Sequence, residues 1–216
     1  RYQQFVWREQ QGLPQNTVQA ITRTRDGYLW LGTLAGAARF DGAHFTVFDN
    51  GNTGAIKGSY ITALLQDRQG DLWLTSDGGG LVRYRHGQFS LYTTRDGLPN
   101  ETTKALLEDR EGGLWVGTYG GLARLKGERF TVYTTDEGLP HGRFALYSTR
   151  DGLAHNYVMA LFPDESGTLW VGTFNGLSRL QGQRFVSVGA REGIVNIPVY
   201  ALHQDREENL WIGTIG

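Results

Sequence analysis

Short runs of alternating apolar and polar residues, separated by turns rich in glycine, fill this chain from end to end. In Thr103-Lys-Ala-Leu-Leu-Glu-Asp109 the alternation has the two-residue period of a half-buried strand. Asp109-Arg-Glu-Gly112 predicts a turn, and Gly113-Leu-Trp-Val-Gly-Thr118 a second strand. Gly120-Gly121 turns the chain into Leu122-Ala-Arg-Leu125, and Lys126-Gly127 turns it again into Phe130-Thr-Val-Tyr133. Asp136-Glu-Gly-Leu-Pro140 then leads toward the next inner strand. Four short strands with turn chemistry between them predict one antiparallel sheet.

The unit repeats. Trp30, Trp73, Trp115, Trp170 and Trp211 mark successive second strands, most of them in Leu-Trp-x-Gly-Thr, at spacings of 43, 42, 55 and 41 residues. A period near 42 with one tryptophan per unit predicts an all-β propeller, each repeat forming one four-stranded antiparallel blade. One period running through 216 residues predicts a single propeller domain over 1–216, with about five recognisable blades and remnants of a sixth. The five tryptophans are read as the core of the repeat, where each removes about 150–250 Å² from water. Phe45, Phe89, Phe130 and Phe185 are read as outer-strand core.

Asp67, Asp109 and Asp164 each stand three residues before a glycine. A carboxylate capping its own turn, with glycine supplying the positive φ, accounts for them without a metal. Thr24 takes the aspartate's place in the first unit, and Asp205 is followed by Glu208 where glycine belongs. Arg39, Arg83, Arg124 and Arg179 recur in the third strand. They are expected to satisfy a turn carboxylate or stack on an aromatic face of their own blade.

The 55-residue spacing breaks the period. Gly127-Glu-Arg-Phe-Thr-Val-Tyr-Thr-Thr-Asp-Glu-Gly-Leu-Pro140 is followed by His141-Gly-Arg-Phe-Ala-Leu-Tyr-Ser-Thr-Arg-Asp-Gly-Leu153, an outer strand and its exit written twice at an offset of 14. The expectation is a blade whose middle is absent between about Pro140 and Gly142; a tandem outer strand is the alternative. Tyr2-Gln-Gln-Phe-Val-Trp7 reads as a further outer strand, and the last blade as incomplete after Leu210-Trp-Ile-Gly-Thr214.

Composition narrows the function more than the fold. Net charge is −1 with 21 basic and 22 acidic residues interspersed, so nothing tracks a nucleic-acid backbone. No apolar stretch approaches the ~18 residues of a membrane span. There is no cysteine, hence no disulfide and no thiolate metal site. The chain starts at Arg1 and has Met159 as its single methionine, so it is expected to be an excised piece of a longer protein. No cofactor and no metal are expected.

Gly12-Leu-Pro-Gln-Asn-Thr-Val18, the Asp-x-x-Gly-x-Leu-Trp-x-Gly-Thr segments and Gly-Leu-x-Arg-Leu together resemble the two-component regulator propeller repeat. Asp151-Gly-Leu-Ala-His-Asn-Tyr-Val158, Leu169-Trp-Val-Gly-Thr173 and Gly176-Leu-Ser-Arg-Leu180 show the resemblance again, and it covers essentially the whole chain. It implies a seven-bladed ring in the extracytoplasmic, periplasmic sensor region of a bacterial signalling protein. Such proteins continue into a membrane helix and a histidine kinase or diguanylate cyclase output, so membrane contact would come only through segments outside this chain.

In a propeller the loops into the inner strand and those joining strands two and three open on one face. Residues there that differ between blades are the recognition candidates: Tyr60, Asp77, Glu101, Tyr119, His155, Asn156, Tyr157, Phe174 and Asn175. Aromatic, amide and imidazole groups converging on a mouth suit a small polar ligand with flat apolar faces, such as an oligosaccharide. The bland alternative is loop-capping amides and half-buried rings. No catalytic motif is present, so the expected function is non-catalytic ligand sensing. Two alternatives stay open. A polysaccharide lyase or glycosidase needs two carboxylates about 5–9.5 Å apart, for which Asp77 and Glu101 are the candidates. A protein-docking scaffold would form a homodimer or capture a partner.

Overall fold

The computed structural model describes residues 6–125, 145–188, 194 and 197–214. Two compact units divide the chain, Arg1–Leu91 and Tyr92–Gly216. The first carries two four-stranded antiparallel sheets in sequential strand order. They are β1 (Val18–Arg23), β2 (Leu29–Thr33), β3 (Gly36–Phe40) and β4 (Phe45–Phe48), then β5 (Ile61–Gln66), β6 (Leu72–Ser76), β7 (Leu81–Arg85) and β8 (Gln88–Tyr92). The second unit carries β9 (Thr103–Glu108), β10 (Leu114–Thr118), β11 (Gly121–Leu125) and β12 (Ala145–Tyr147), and then β13 (Val158–Pro163), β14 (Leu169–Thr173), β15 (Gly176–Gln181) and β16 (Arg184–Val188). It ends in a two-stranded sheet of β17 (Val199–Gln204) and β18 (Leu210–Thr214). This is an all-β assembly of propeller blades.

The turn between the first two strands of a sheet is a joined device. One oxygen of Asp67, Asp109, Asp164 and Asp205 accepts the backbone N–H four residues on, at 2.8–2.9 Å. The other accepts the indole N–H six residues on: Trp73 at 2.7 Å, Trp115 at 2.8 Å, Trp170 at 2.9 Å and Trp211 at 2.8 Å. The carboxylate thus ties the turn to the ring that the next strand carries. Glu208 adopts φ 66° where the other turns have glycine, so the turn closes with a side chain in the left-handed region. Thr24 in the first sheet instead donates its hydroxyl to Asp26 Oδ1 at 2.5 Å, with the Tyr28 carbonyl farther off at 3.2 Å.

The glycine of Leu-Trp-x-Gly-Thr is a close-approach residue. A Cβ on Gly117 would lie 2.6 Å from Val158, and one on Gly172 would lie 2.7 Å from Val199. Each of these valines opens the inner strand of the following sheet, so glycine here sets how tightly adjacent sheets pack. The threonine closes the next turn, with the fully buried Thr33, Thr118 and Thr173 hydroxyls donating to Gly36, Gly121 and Gly176 carbonyls at 2.8–2.9 Å.

The lead-ins to β9 and β13 are built on the same plan. Thr93 and Ser148 cap a one-turn 3-10 segment by reciprocal bonds with Asp96 and Asp151. A left-handed glycine follows (Gly97, Gly152), then a buried leucine (Leu98, Leu153) that pins the loop to the core. The Gly-Leu-Pro signature is therefore a cap and an anchor.

Two expectations are corrected. The described fourth strand of the third sheet is Ala145–Tyr147, the second copy of the duplicated pattern, which pairs with β11, Leu122 opposite Tyr147. That copy runs straight into the Ser148 cap, so strand and lead-in are continuous. Residues 130–133 and the 140–142 junction lie outside the described residues, and so do residues 2–5 of the expected N-terminal strand. The remaining Val6 and Trp7 form no strand, and Trp7 packs edge-on against Phe40 and Phe45. The second correction is Trp211. Trp30, Trp73 and Trp115 are 1–3% exposed and Trp170 is half-buried, but Trp211 is 63% exposed. Among the described residues β18 pairs with β17 alone, so no third strand covers its ring.

Candidate functional site

Two repeat positions are held side by side by a single backbone bond. The residue after strand two donates its N–H to the residue before the inner strand: Asp77 to Tyr60 at 3.0 Å, Tyr119 to Thr102 at 3.0 Å, Phe174 to Tyr157 at 2.9 Å. The fold fixes these positions and leaves their side chains free to vary. In the first unit they bring Tyr60 and Asp77 together. In the second unit they assemble aromatic rings.

Tyr119 and Tyr157 stack with centroids 4.6 Å apart and planes 12° from parallel. Phe174 stands 6.1 Å from Tyr157, and the His155 imidazole meets Tyr157 edge-on at 4.9 Å. Phe174 is 49% and Tyr157 42% exposed, so the shelf presents ring surface to solvent. With Thr149 and Asn156 these four residues line a cleft of about 480 Å³. Lys104 sits in the β-bulge between Thr103 and Ala105, which aims its ammonium to 5.3 Å from the Tyr119 ring. The cleft therefore offers aromatic faces, one of whose rings, Tyr119, carries a cation beside it.

The polar candidates divide between site and scaffold. His155 Nδ1 accepts the Tyr157 N–H at 3.0 Å. Asn156 lines the cleft, but its Oδ1 accepts the Thr149 N–H at 2.8 Å, as Asn16 does for Glu9 N–H at 3.1 Å. Glu101 occupies the same repeat position as Asn156 and accepts from the Thr94 hydroxyl at 3.0 Å. Asn175 donates its backbone N–H to the Thr173 hydroxyl at 3.3 Å and does not line the cleft. Tyr119, His155, Asn156, Tyr157 and Phe174 are thus brought together. Tyr60 and Asp77 belong to the other unit. Thr149 is the lining residue that sequence reasoning missed. Its pattern, Ser-Thr-Arg-Asp, repeats Thr-Thr-Arg-Asp of the preceding lead-in and gave no sign of facing a cleft. Among the described residues no group of three or more His, Cys, Asp or Glu side chains could hold a metal ion, and no helix is long and apolar enough to cross a membrane.

No curated protein sequence matches the chain. Among solved structures it is similar to the extracellular domain of a B. thetaiotaomicron protein assigned as a one component system, with 21% identity and a TM-score of 0.73. The match covers 91% of this chain and 28% of that one. A second B. thetaiotaomicron extracellular domain, assigned to a hybrid two component system, shows 23% identity and a TM-score of 0.61, over 97% of this chain and 34% of that one. Virginiamycin B lyase from Staphylococcus aureus is similar at 14% identity and a TM-score of 0.64, over 90% of this chain and 62% of that one. The chain spans about a third or less of the two B. thetaiotaomicron domains, and at these identities the likeness is one of fold. The model of the two component regulator propeller matches residues 12–35, 55–78, 90–120, 152–175 and 193–216. With more than half of its residues matched in five successive repeats, the chain belongs to the two component regulator propeller family.

Proposed function

We propose that this propeller is a non-catalytic, extracytoplasmic ligand-sensing segment of a bacterial signal-transduction protein, and that its ligand sits on the Tyr119, Tyr157 and Phe174 shelf. The observation that carries the reading is convergence: three rings and an imidazole at positions the fold leaves variable, around a cleft of about 480 Å³. Exposed ring faces bordered by amide and hydroxyl groups suit a pyranose, whose C–H face stacks while its hydroxyls hydrogen-bond. The similarity to extracellular domains assigned to one component and hybrid two component systems supports both the sensing role and the compartment.

Calorimetric titration against a panel of neutral and uronate-containing oligosaccharides tests it. Tyr157→Ala and Phe174→Ala should each weaken the best-binding sugar about tenfold or more, with the melting temperature unchanged because both rings are exposed. Unchanged affinity would remove the shelf from the site.

A lyase reading is kept by one observation, the fold likeness to virginiamycin B lyase, a variant of which with a histidine replaced by alanine is described as catalytically inactive. His155 is the cleft's histidine, and no carboxylate lines the cleft among the described residues. Incubation with quinupristin should leave the compound unchanged. Turnover abolished by His155→Ala would establish the lyase instead.

A further inference from the structure

The turn that precedes an inner strand is held in three sheets by one bond, from the backbone N–H of the third loop residue to the side chain of the first. Gln15 Oε1 accepts from Thr17, Asn100 Oδ1 accepts from Thr102 at 2.8 Å, and His155 Nδ1 accepts from Tyr157 at 3.0 Å. Two of the three acceptors are amides, which keep their acceptor oxygen at every pH. The third is an imidazole, and it stands where the backbone must present an aromatic ring to a cleft. Histidine is the side chain whose ordinary charge change falls between pH 5 and 8.

This bond dictates the tautomer. A ring nitrogen that accepts cannot carry the proton, so the neutral His155 holds its hydrogen on Nε2. Among the described residues Nε2 has no hydrogen-bond partner, and the ring lines the cleft. It is a donor with a fixed address. Protonation puts a second hydrogen on Nδ1, which then faces the Tyr157 N–H, and two donors cannot share the bond. The charged groups on the surrounding elements do not offset this. Lys104 on β9 lies over Tyr119, and Glu101 bonds to Thr94. Asp151 is engaged by the Ser148 N–H and hydroxyl, and Arg150 follows in the same turn. None of them bonds to the imidazole.

We propose that His155 is the positioning residue of the aromatic shelf: neutral, it fixes the Tyr157 turn and turns Nε2–H toward the ligand, and protonated on Nδ1, it releases the turn and with it the placement of the Tyr157 ring. This rests on the shelf being the ligand site, and it predicts a sensor whose ligand binding weakens on acidification. The lost bond corresponds to about a fivefold change in affinity.

The experiment has two readouts. Amide exchange of Tyr157, followed by NMR from pH 8 to pH 5, needs no ligand. Saturation-transfer NMR with methyl β-D-glucopyranoside reports on the shelf. In the wild type the Tyr157 protection factor and the probe's affinity should fall together, several-fold, from pH 8 to pH 5. His155→Asn, which installs the acceptor used by Asn100, should hold both constant. Tyr157 protection unchanged from pH 8 to pH 5, or an equal loss of affinity in His155→Asn, would overturn the proposal. Protection that falls in a shelf that binds the probe at no pH would overturn the ligand site itself while leaving the titrating turn standing.

Discussion

The third sheet and the last one carry nearly the same hairpin, Leu-Trp-Val-Gly-Thr at 114–118 and Leu-Trp-Ile-Gly-Thr at 210–214, with opposite results. Asp109 and Asp205 both hold the indole N–H six residues on, at 2.8 Å in each case. Yet Trp115 is 3% exposed, against 63% for Trp211. The hairpin by itself makes the turn and its polar bond. It does not make a core. Burial requires β11, whose Arg124 lies opposite Trp115 with its guanidinium 5.2 Å from the ring, and the outer strand and following sheet, from which Tyr147 and Phe185 reach the same indole.

The widest gap should therefore appear on truncation. Trp115→Ala should cost about 3–5 kcal/mol and Trp211→Ala under about 1 kcal/mol, because the second ring is already in water. Guanidinium unfolding followed by circular dichroism measures both. Comparable losses would mean that Trp211 is covered in solution, and the contrast would fail.

A smaller gap is expected from the glycine of the motif. A Cβ on Gly117 or on Gly213 meets the preceding strand's alanine at the same 3.2 Å, Ala105 or Ala201. Gly117 alone also faces Val158, at 2.6 Å. Gly117→Ala should then cost about 1–3 kcal/mol from overpacking, and Gly213→Ala little. The same unfolding measurement separates the valine's contribution from that of the strand.

Acid should distinguish the polar half of the hairpin. The Trp211 N–H, and after it Asn209, lowers Asp205 from the usual 3.8 to about 2. Asp164 is lowered too, its burial outweighed by bonds from Ser166, Trp170 and Thr168. A carboxylate lowered on folding contributes stability that is whole above the usual carboxylate range and is lost as pH falls through the folded value. Loss should begin below about pH 4 and continue toward 2. Carbon-13 NMR of the Asp205 carboxyl checks this. Trp211→Phe, which removes the largest cause, should move the midpoint upward. No movement would assign the shift to Asn209 and the turn's backbone.

The strands, turns and repeat were legible in the sequence because each rests on local chemistry: a two-residue alternation, a carboxylate before a glycine, a Trp every forty-odd residues. The alternate outer strand was not, since Arg-Phe-Thr-Val-Tyr and Arg-Phe-Ala-Leu-Tyr satisfy the same pattern and only pairing chooses between them. The candidate site was half legible. Topology placed Tyr119, Tyr157 and Phe174 on one face, whereas the use of Asn156 and Glu101 to hold the 3-10 turn depends on loop geometry that spacing does not encode.

The least legible rule is set by the residue just before Leu-Trp, which chooses the partner of the third-strand arginine. Tyr28 stacks under Arg39, whose Cζ is 4.4 Å from the ring centre. Asp71 accepts from Arg83 at 2.6 Å. Gly113 leaves the way open, and Arg124 reaches the turn's own Asp109 at 2.8 Å, where a Cβ on Gly113 would lie 2.7 Å from Arg124 Nε. Thr168 fills that space while its hydroxyl bonds to Ser166, so Asp164 is occupied by Ser166, Thr168 and Trp170, and the buried Arg179 Nε has no partner among the described residues. Thr168→Asp reproduces the Asp71 arrangement beside Arg179. Because the arginine is only half-buried, solvent screening holds the expected gain to about 0.5–1 kcal/mol. A rise in melting temperature that disappears in Thr168→Asp/Arg179→Met would establish the pair. A gain that survives loss of the arginine would show instead that the aspartate acts on the turn, and the rule would not extend to this sheet.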